Sequence, residues 1–374
     1  MVASISARGG VESALGYYEH LGQDDYYVRD GEPPGWWAGE GAARLSLSGP
    51  VTRTEFEAAL RGIDPKTGER IAALGGKQHS HIAGWDVTFS APKSVSVQWA
   101  LSEPNDRPGI ERAHRVAVQA ATTYLEQMAA WARRGRGGAI REQAAGLLMA
   151  RFDHHTSRDL DPQLHSHVFV MNLAPRKDGT WGAIVSRELY KAQKQAGAVY
   201  RQALAAELER EGHAVVRSGD SFRMRAIPHE IERAFSKRRQ AIEAAAETHG
   251  YKSAKGMELA ALRTRRAKRD VHRDALFDAW RTEARARGFE LRREPSLRSP
   301  EHRPAMTDKP ALERQPSRPA ITSTPGSQPV ARVERAAPKL ASAARVMDQR
   351  AEMPGVAVDL KQRPRQRPRQ RDRD

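Results

Sequence analysis

The sequence predicts a mixed α+β domain over residues 1–290 and a disordered basic tail over residues 291–374. Three observations carry this reading. Strand-like and helix-like hydrophobic periods both occur in the first 290 residues, joined by long helical connections with one obvious hairpin, which favours layers of helix and sheet over a closed β barrel. Phe289 is the last aromatic residue, and the segment after residue 290 holds 12 of the 22 prolines, so it cannot bury enough apolar surface to offset its ordering entropy. Neither a run of about 18 apolar residues nor a charged-then-apolar leader occurs, so membrane insertion and secretion are not expected and the cytoplasm is the default compartment.

The elements follow in order. Trp85 to Ser90 and Ser94 to Trp99 alternate as strands do. Ala113 to Ala132 places Ala113, Ala117, Ala120, Tyr124, Met128 and Trp131 at helical spacing before a Gly/Arg-rich break at Gly135 to Gly138. Leu147 to Phe152 and His165 to Asn172 are further strands. Ser186 to Glu211 is a helix stopped by Gly212, a residue suited to the left-handed position after a helix. His213 to Arg217 and Ser221 to Arg225, split by Ser218-Gly219-Asp220, form a hairpin. Two Arg/Lys-rich helices complete the domain, at about Pro228 to Glu247 and Ala267 to Arg287.

Charge and cysteine usage narrow the chemistry. Lysine and arginine number 62 against 46 acids, a net charge of +16, which points to a polyanionic partner. The tail carries 19 basic and 10 acidic residues, leaving 43 and 36 in residues 1–290, so more than half of the excess lies outside the domain. The tail ends in a short Arg-Pro-Arg-Gln repeat, Arg363 to Gln366 and Arg367 to Gln370, that reads as a solvated linker or a phosphate contact. With no cysteine, disulfides and thiolate sites are excluded, and a metal must be held by His, Asp or Glu.

The segment from Phe152 to Asn172 is the most informative. On a strand His165 and His167 share one face, while Leu164, Ser166, Val168 and Val170 share the other. A third imidazole is offered by His154 or His155 across the polar loop Thr156 to Pro162, and three imidazoles suit a divalent ion such as Mn, Ni, Zn or Co. Tyr17-Tyr18 and Tyr26-Tyr27 place four of the eight tyrosines within eleven residues. A phenol with an ordinary pKa of about 10 needs a base or a metal beside it to act as a nucleophile. Asp86, on the same strand face as Thr88 and Ser90, is the candidate base or orienter of a ligand histidine. The hairpin arginines Arg217, Arg223 and Arg225, together with Lys237, Arg238 and Arg239, are candidate phosphate contacts, and Trp36 and Trp37 candidate stacking platforms for unpaired bases.

Taken together, the two tyrosine doublets, the run Asp86 to Ser96 (DVTFSAPKSVS) and the run His154 to His167 (HHTSRDLDPQLHSH) resemble the TrwC/TraI-like (MobF-type) conjugative relaxases of the HUH endonuclease superfamily. The resemblance spans about residues 1–290, including Phe235-Ser236-Lys237-Arg238. It implies a palm-like central antiparallel sheet flanked by helices, with a helical C-terminal part that embraces DNA. It also implies a metal-dependent, site-specific single-strand endonuclease and strand transferase acting at an origin of transfer. Tyr17 would then be the primary nucleophile and Tyr26 the tyrosine of the second strand transfer, with Tyr18 and Tyr27 as supporting or substitute residues. His154, His165 and His167 would hold a divalent ion (Mg, Mn, Zn or Ni), with Asp86 beside them. Implied partners are origin DNA with a hairpin and a single strand, relaxosome accessory proteins and a type IV secretion coupling protein. The protein would be bacterial and cytoplasmic, and carried into the recipient cell with the DNA.

One departure stands out. Large members of that family continue into a helicase, yet these residues contain no G-x-x-x-x-G-K-[ST] loop; Gly75-Gly76-Lys77 is followed by Gln78. A separate helicase is therefore expected, with this chain a stand-alone or truncated relaxase. The competing readings are an HUH replication initiator or transposase, a non-catalytic origin-binding remnant, and a small-molecule metallohydrolase, the last disfavoured by the charge and the paired tyrosines.

Overall fold

The computed structural model describes residues 3–22, 28–29, 35–72, 82–264 and 271–292. Tyr26, Tyr27 and the tail from residue 293 lie outside the described residues. Strand β1 (Ala3–Gly9) turns through Gly10, at φ +38°, into helix α1 (Val11–Gly22), an element the sequence reading did not anticipate. The short strands β2 (Val28–Arg29) and β3 (Trp36–Ala38) follow, then helices α2 (Glu40–Arg44) and α3 (Arg53–Leu60). At the start of α3 the Thr52 hydroxyl accepts the Glu55 N–H, satisfying one of the donors a helix N-terminus leaves open.

Strand β4 (Ile82–Ser90) contains the predicted strand at 85–90. The next prediction fails: Ser94 to Trp99 is not a strand but lies within helix α4 (Lys93–Leu101), which enters after Pro92. Every residue of α4 after Lys93 is buried, so no polar face reports the helical period, and the Ser/Val alternation imitates a strand. The serines are internal hydrogen-bond acceptors: Ser94 Oγ takes the N–H of Met224 and Ser96 Oγ that of Leu164, both at 3.0 Å.

Helix α5 (Arg107–Ala129) begins earlier than predicted, with Pro108 in its first turn, and releases Trp131 into strand β5 (Trp131–Arg134). The expected Gly/Arg break is the link from β5 to β6 (Ile140–Gln143). Strands β7 (Met149–Thr156) and β8 (Pro162–Met171) form a second hairpin, and β9 (Ala174–Pro175) pairs with β10 (Trp181–Gly182). Helix α6 (Ser186–Arg210) and Gly212, at φ +90°, match the prediction, as does the hairpin of β11 (Val215–Ser218) and β12 (Ser221–Met224). The predicted helix at 228–247 is two helices, α7 (His229–Ala234) and α8 (Lys237–Thr248), parted at Phe235 and Ser236. Helix α9 (Ala254–Arg263) was not foreseen. Strand β13 (Val271–His272) pairs in parallel with β2, and α10 (Arg273–Ala286) lies within the predicted 267–287.

The central sheet runs β1-β4-β8-β7-β3, and every neighbouring pair in it is antiparallel. One face carries Val87, Phe89, Val168 and Val170 into a core shared with Leu125 of α5 and Tyr200 and Leu204 of α6. The opposite face carries Phe152 and Phe169 against Leu15 of α1 and Phe56 of α3. Each of these fully buried side chains contributes roughly 1.5–3 kcal/mol of transfer free energy, and together they fix the strand register. Among the described residues no helix is long and apolar enough to cross a membrane.

The turn from β7 to β8 is held from three sides. Trp280 Nε1 of α10 donates to the Leu160 carbonyl at 2.8 Å, Lys93 Nζ of α4 to that of Pro162 at 2.9 Å, and Asp161 accepts the Lys237 N–H at the head of α8 at 2.7 Å. Burial raises Asp161 to about 6 against the pull of Lys93 and Lys237, and burial lowers Lys93 to about 8.

Candidate metal and nucleophile site

The site sits on the sheet face covered by α1. Antiparallel pairing sets His154 opposite His165, His167 opposite Thr88, and Ser90 opposite His165, so the three imidazoles and the polar side of β4 share one face. One ring nitrogen from each of His154, His165 and His167 lies within 4.8 Å of the others, and the ring centroids are 5.1–5.3 Å apart. His155, left open as a ligand by the sequence, points to the other face, where it stacks on Trp99 with centroids 5.0 Å apart.

Hydrogen bonding selects which nitrogens are free to bind a cation. His165 Nδ1 lies 2.9 Å from the Gln163 carbonyl, which can only accept, so Nδ1 carries the proton and Nε2 keeps its lone pair. His167 Nδ1 lies 3.0 Å from Asp86 Oδ1, with the same consequence. Burial and the neighbouring His167 and His154 hold His165 well below the usual imidazole range, keeping it a neutral donor. Three convergent imidazoles, two with Nδ1 tied back by an acceptor, fit a divalent transition ion.

The phenol of Tyr17 comes down from α1 onto this group. Its hydroxyl donates to Asp86 Oδ2 at 2.6 Å and lies 3.1 Å from His167 Nδ1. Asp86 is buried. That burial would raise its pKa, but His167, the Tyr17 hydroxyl and Arg8 outweigh it and hold the carboxyl well below its ordinary range. Burial, then the Asp86 charge, push Tyr17 well above the ordinary phenol value, so the free site holds a neutral phenol hydrogen-bonded to a carboxylate. Arg8, on β1, completes the cluster with its Nη2 at 3.1 Å from Asp86 Oδ2 and its guanidinium carbon 3.7 Å from the centre of the Tyr17 ring. Arg8 is not among the residues that the sequence singles out. Its only signal was the alternation Ser4, Ser6, Arg8, which sets an arginine on the polar face of an edge strand.

The other expected residues divide. Tyr18 faces away from the histidines: it stacks on Phe56 with centroids 4.6 Å apart, and its hydroxyl donates to the Val51 carbonyl at 3.0 Å. Trp37 is buried, while Trp36 is 41% exposed and remains available as a platform. Arg217, Arg225 and Arg239 are exposed. Lys237 pairs with Glu283 at 2.6 Å. Arg223 is turned inward to Glu232 and the Ile227 carbonyl, and Arg238 to the carbonyls of Ala261 and Thr264, so these two brace the helices around them.

Most of the chain is similar to known proteins. The TrwC relaxase family model matches residues 11–287. The multifunctional conjugation protein TraI of Escherichia coli is 35% identical over 301 residues, covering 77% of this chain and 16% of that protein. Its counterpart in Escherichia coli strain K12 is 34% identical over 303 residues, covering 78% of this chain and 16% of that protein. The chain thus matches only about a sixth of the length of these relatives. Among solved structures, the conjugative relaxase TrwC in its copper-bound complex with oriT DNA superposes with a TM-score of 0.68 at 32% identity, over 78% of this chain and 100% of that one. TrwC complexed with a 27-mer DNA comprising the recognition hairpin and the cleavage site gives 0.67 at 29% identity, with the same coverage.

Proposed function

Because the chain belongs to the TrwC relaxase family, we propose that it is a conjugative relaxase. It nicks one strand of origin-of-transfer DNA, holds the 5′ end as a phosphotyrosine and rejoins the strand after transfer. The observation that carries this reading is the Tyr17 hydroxyl, 2.6 Å from Asp86 and 3.1 Å from His167 at the edge of three convergent imidazoles. The family match ends at residue 287, which supports a relaxase domain over residues 1–290.

His154, His165 and His167 would hold the divalent ion, whose chemistry when bound is to neutralise charge on non-bridging phosphate oxygens. The protein's own groups do the rest. Tyr17 Oη attacks phosphorus, the bond from phosphorus to the 3′ oxygen breaks, and the 3′ oxygen takes a proton from water to leave as a free hydroxyl. Asp86 Oδ2, already the acceptor of the phenol's hydrogen bond, takes the phenol's proton. Since one phosphodiester replaces another, the reverse attack by the 3′-hydroxyl restores the strand without ATP. Tyr26 would serve a second transfer while the first link persists. These 374 residues contain no phosphate loop, so duplex unwinding lies outside them.

The test incubates the protein with Mg or Mn and single-stranded oligonucleotides drawn from the DNA flanking its gene, each with a hairpin beside an unpaired segment. A denaturant-resistant protein–DNA adduct is expected, and Tyr17→Phe abolishes it. Folded, metal-loaded protein that forms no adduct with any of these oligonucleotides would overturn the enzyme reading.

A further inference from the structure

Arg8 takes no part in the bond changes of strand transfer, yet it touches both groups of the proton transfer. His167 Nδ1 faces both oxygens of Asp86, Oδ1 at 3.0 Å and Oδ2 at 3.1 Å, while Oδ2 also receives the Tyr17 hydroxyl at 2.6 Å and Arg8 Nη2 at 3.1 Å. The same guanidinium lies 3.7 Å over the Tyr17 ring. One guanidinium thus reaches the carboxylate through Nη2 while its central carbon lies over the phenol ring, a combination that a lysine ammonium cannot reproduce. The backbone is built for this. Arg8 pairs with Gly84, and a register shift follows at once between Arg8 and Gly9, the kind of bulge that re-aims a side chain at the edge of a sheet.

We propose that Arg8 is a positioning residue for strand transfer, a clamp that fixes the Tyr17 ring and the Asp86 carboxylate in one geometry before DNA arrives. The role in transfer rests on the relaxase reading; the clamp itself does not. Holding the ring removes rotamer freedom that the attack would otherwise have to overcome. The contact with the ring face also survives the reaction. Once Tyr17 Oη is bonded to phosphorus it no longer donates to Asp86, and the guanidinium over the ring then holds the phosphotyrosine where the returning 3′-hydroxyl can reach it. Rejoining therefore depends on Arg8 as much as cleavage does.

The experiment compares wild type, Arg8→Met and Arg8→Lys by two readouts. In DNA-free protein, tyrosines are acetylated with N-acetylimidazole and mapped by mass spectrometry. Arg8→Met is expected to raise the Tyr17 rate about tenfold while leaving Tyr18 and Tyr124 unchanged. With the oligonucleotide found in the adduct screen, the limiting rate of adduct formation is expected to fall about tenfold or more, with the half-saturating concentration within about twofold of wild type. Arg8→Lys, which keeps the charge and loses the planar fork, should fall between the two. Unchanged Tyr17 reactivity in Arg8→Met overturns the clamp. So does full activity in Arg8→Lys, which would make charge alone sufficient, and so does a raised half-saturating concentration with an unchanged limiting rate, which would make Arg8 a DNA contact. Should Arg8→Met expose every tyrosine, it has unfolded, and Arg8→Lys decides by the same two measurements. A wild type that forms no adduct sinks the relaxase reading, while Tyr17 reactivity still decides the clamp.

Discussion

Tyr17 and Tyr18 are neighbours in sequence and opposites in environment. About 100° of helical rotation separates them on α1, enough to send one hydroxyl to Asp86 and the other to the Val51 carbonyl. Tyr18→Phe should keep the rate of adduct formation within about threefold of wild type and cost roughly 1 kcal/mol of stability for the lost hydrogen bond, read by urea denaturation. A Tyr18→Phe protein that forms no adduct would refute the assignment of Tyr17. Asp86 also lies 3.0 Å from His167 Nδ1. Asp86→Asn should weaken metal affinity about 10- to 100-fold in calorimetric titration with Mn or Ni, and unaltered affinity would remove Asp86 from the support of the site. Period-2 alternation made Asp86, His165 and His167 legible, because strands that carry one buried and one polar face write their orientation into the sequence. Spacing alone did not choose between His154 and His155, since that depends on the register of β7 against β8; the family resemblance chose His154.

Among the elements, β7, β8, α5 and α6 meet in a polar chain buried behind the histidines. Tyr200 lies 2.7 Å from His114 Nδ1, His114 Nε2 lies 2.8 Å from Ser166 Oγ, and Ser166 donates to Asp153 at 2.6 Å. Burial lowers His114 to about 4, below its unfolded value of about 6.5, so between these pH values the unfolded chain binds more protons and folding stability falls as pH falls. Between pH 7 and 4 the wild type should lose about 3 kcal/mol that His114→Gln does not, measured as the difference between their stability curves. Parallel curves would show that His114 does not titrate in this way. The sequence disclosed the amphipathic α5 and α6 but not α4, whose burial on all sides erased the period that marks a helix. Helix α1 packs Ala14 and Leu15 into the core with Val11, Tyr17 and Tyr18 against it, but the weak helix former Gly16 interrupts that period.

For the whole molecule, more than half of the excess positive charge lies apart from the candidate site along the chain. Residues 291–374 carry 19 basic and 10 acidic residues but none of the groups that converge on Asp86. Removing them should lower affinity for non-cognate single strands and flatten its salt dependence by about 0.7 log units per lost phosphate contact, while the limiting rate of adduct formation stays unchanged. A matching loss of that rate would assign the segment to the catalytic unit. The placement of β1 at the edge of the sheet also has a mechanical meaning. A strand of DNA joined to Tyr17 and placed under tension would load α1, and through Gly10 the Gly9 end of β1, which pairs on one side only. Pairs would then open singly, from Gly9 with Ile82 toward Ala3 with Phe89, as a zipper opens, rather than shearing together. Under such a pull the molecule yields at this outer strand first, while β4, β8 and β7, and with them the floor of three histidines, stay intact.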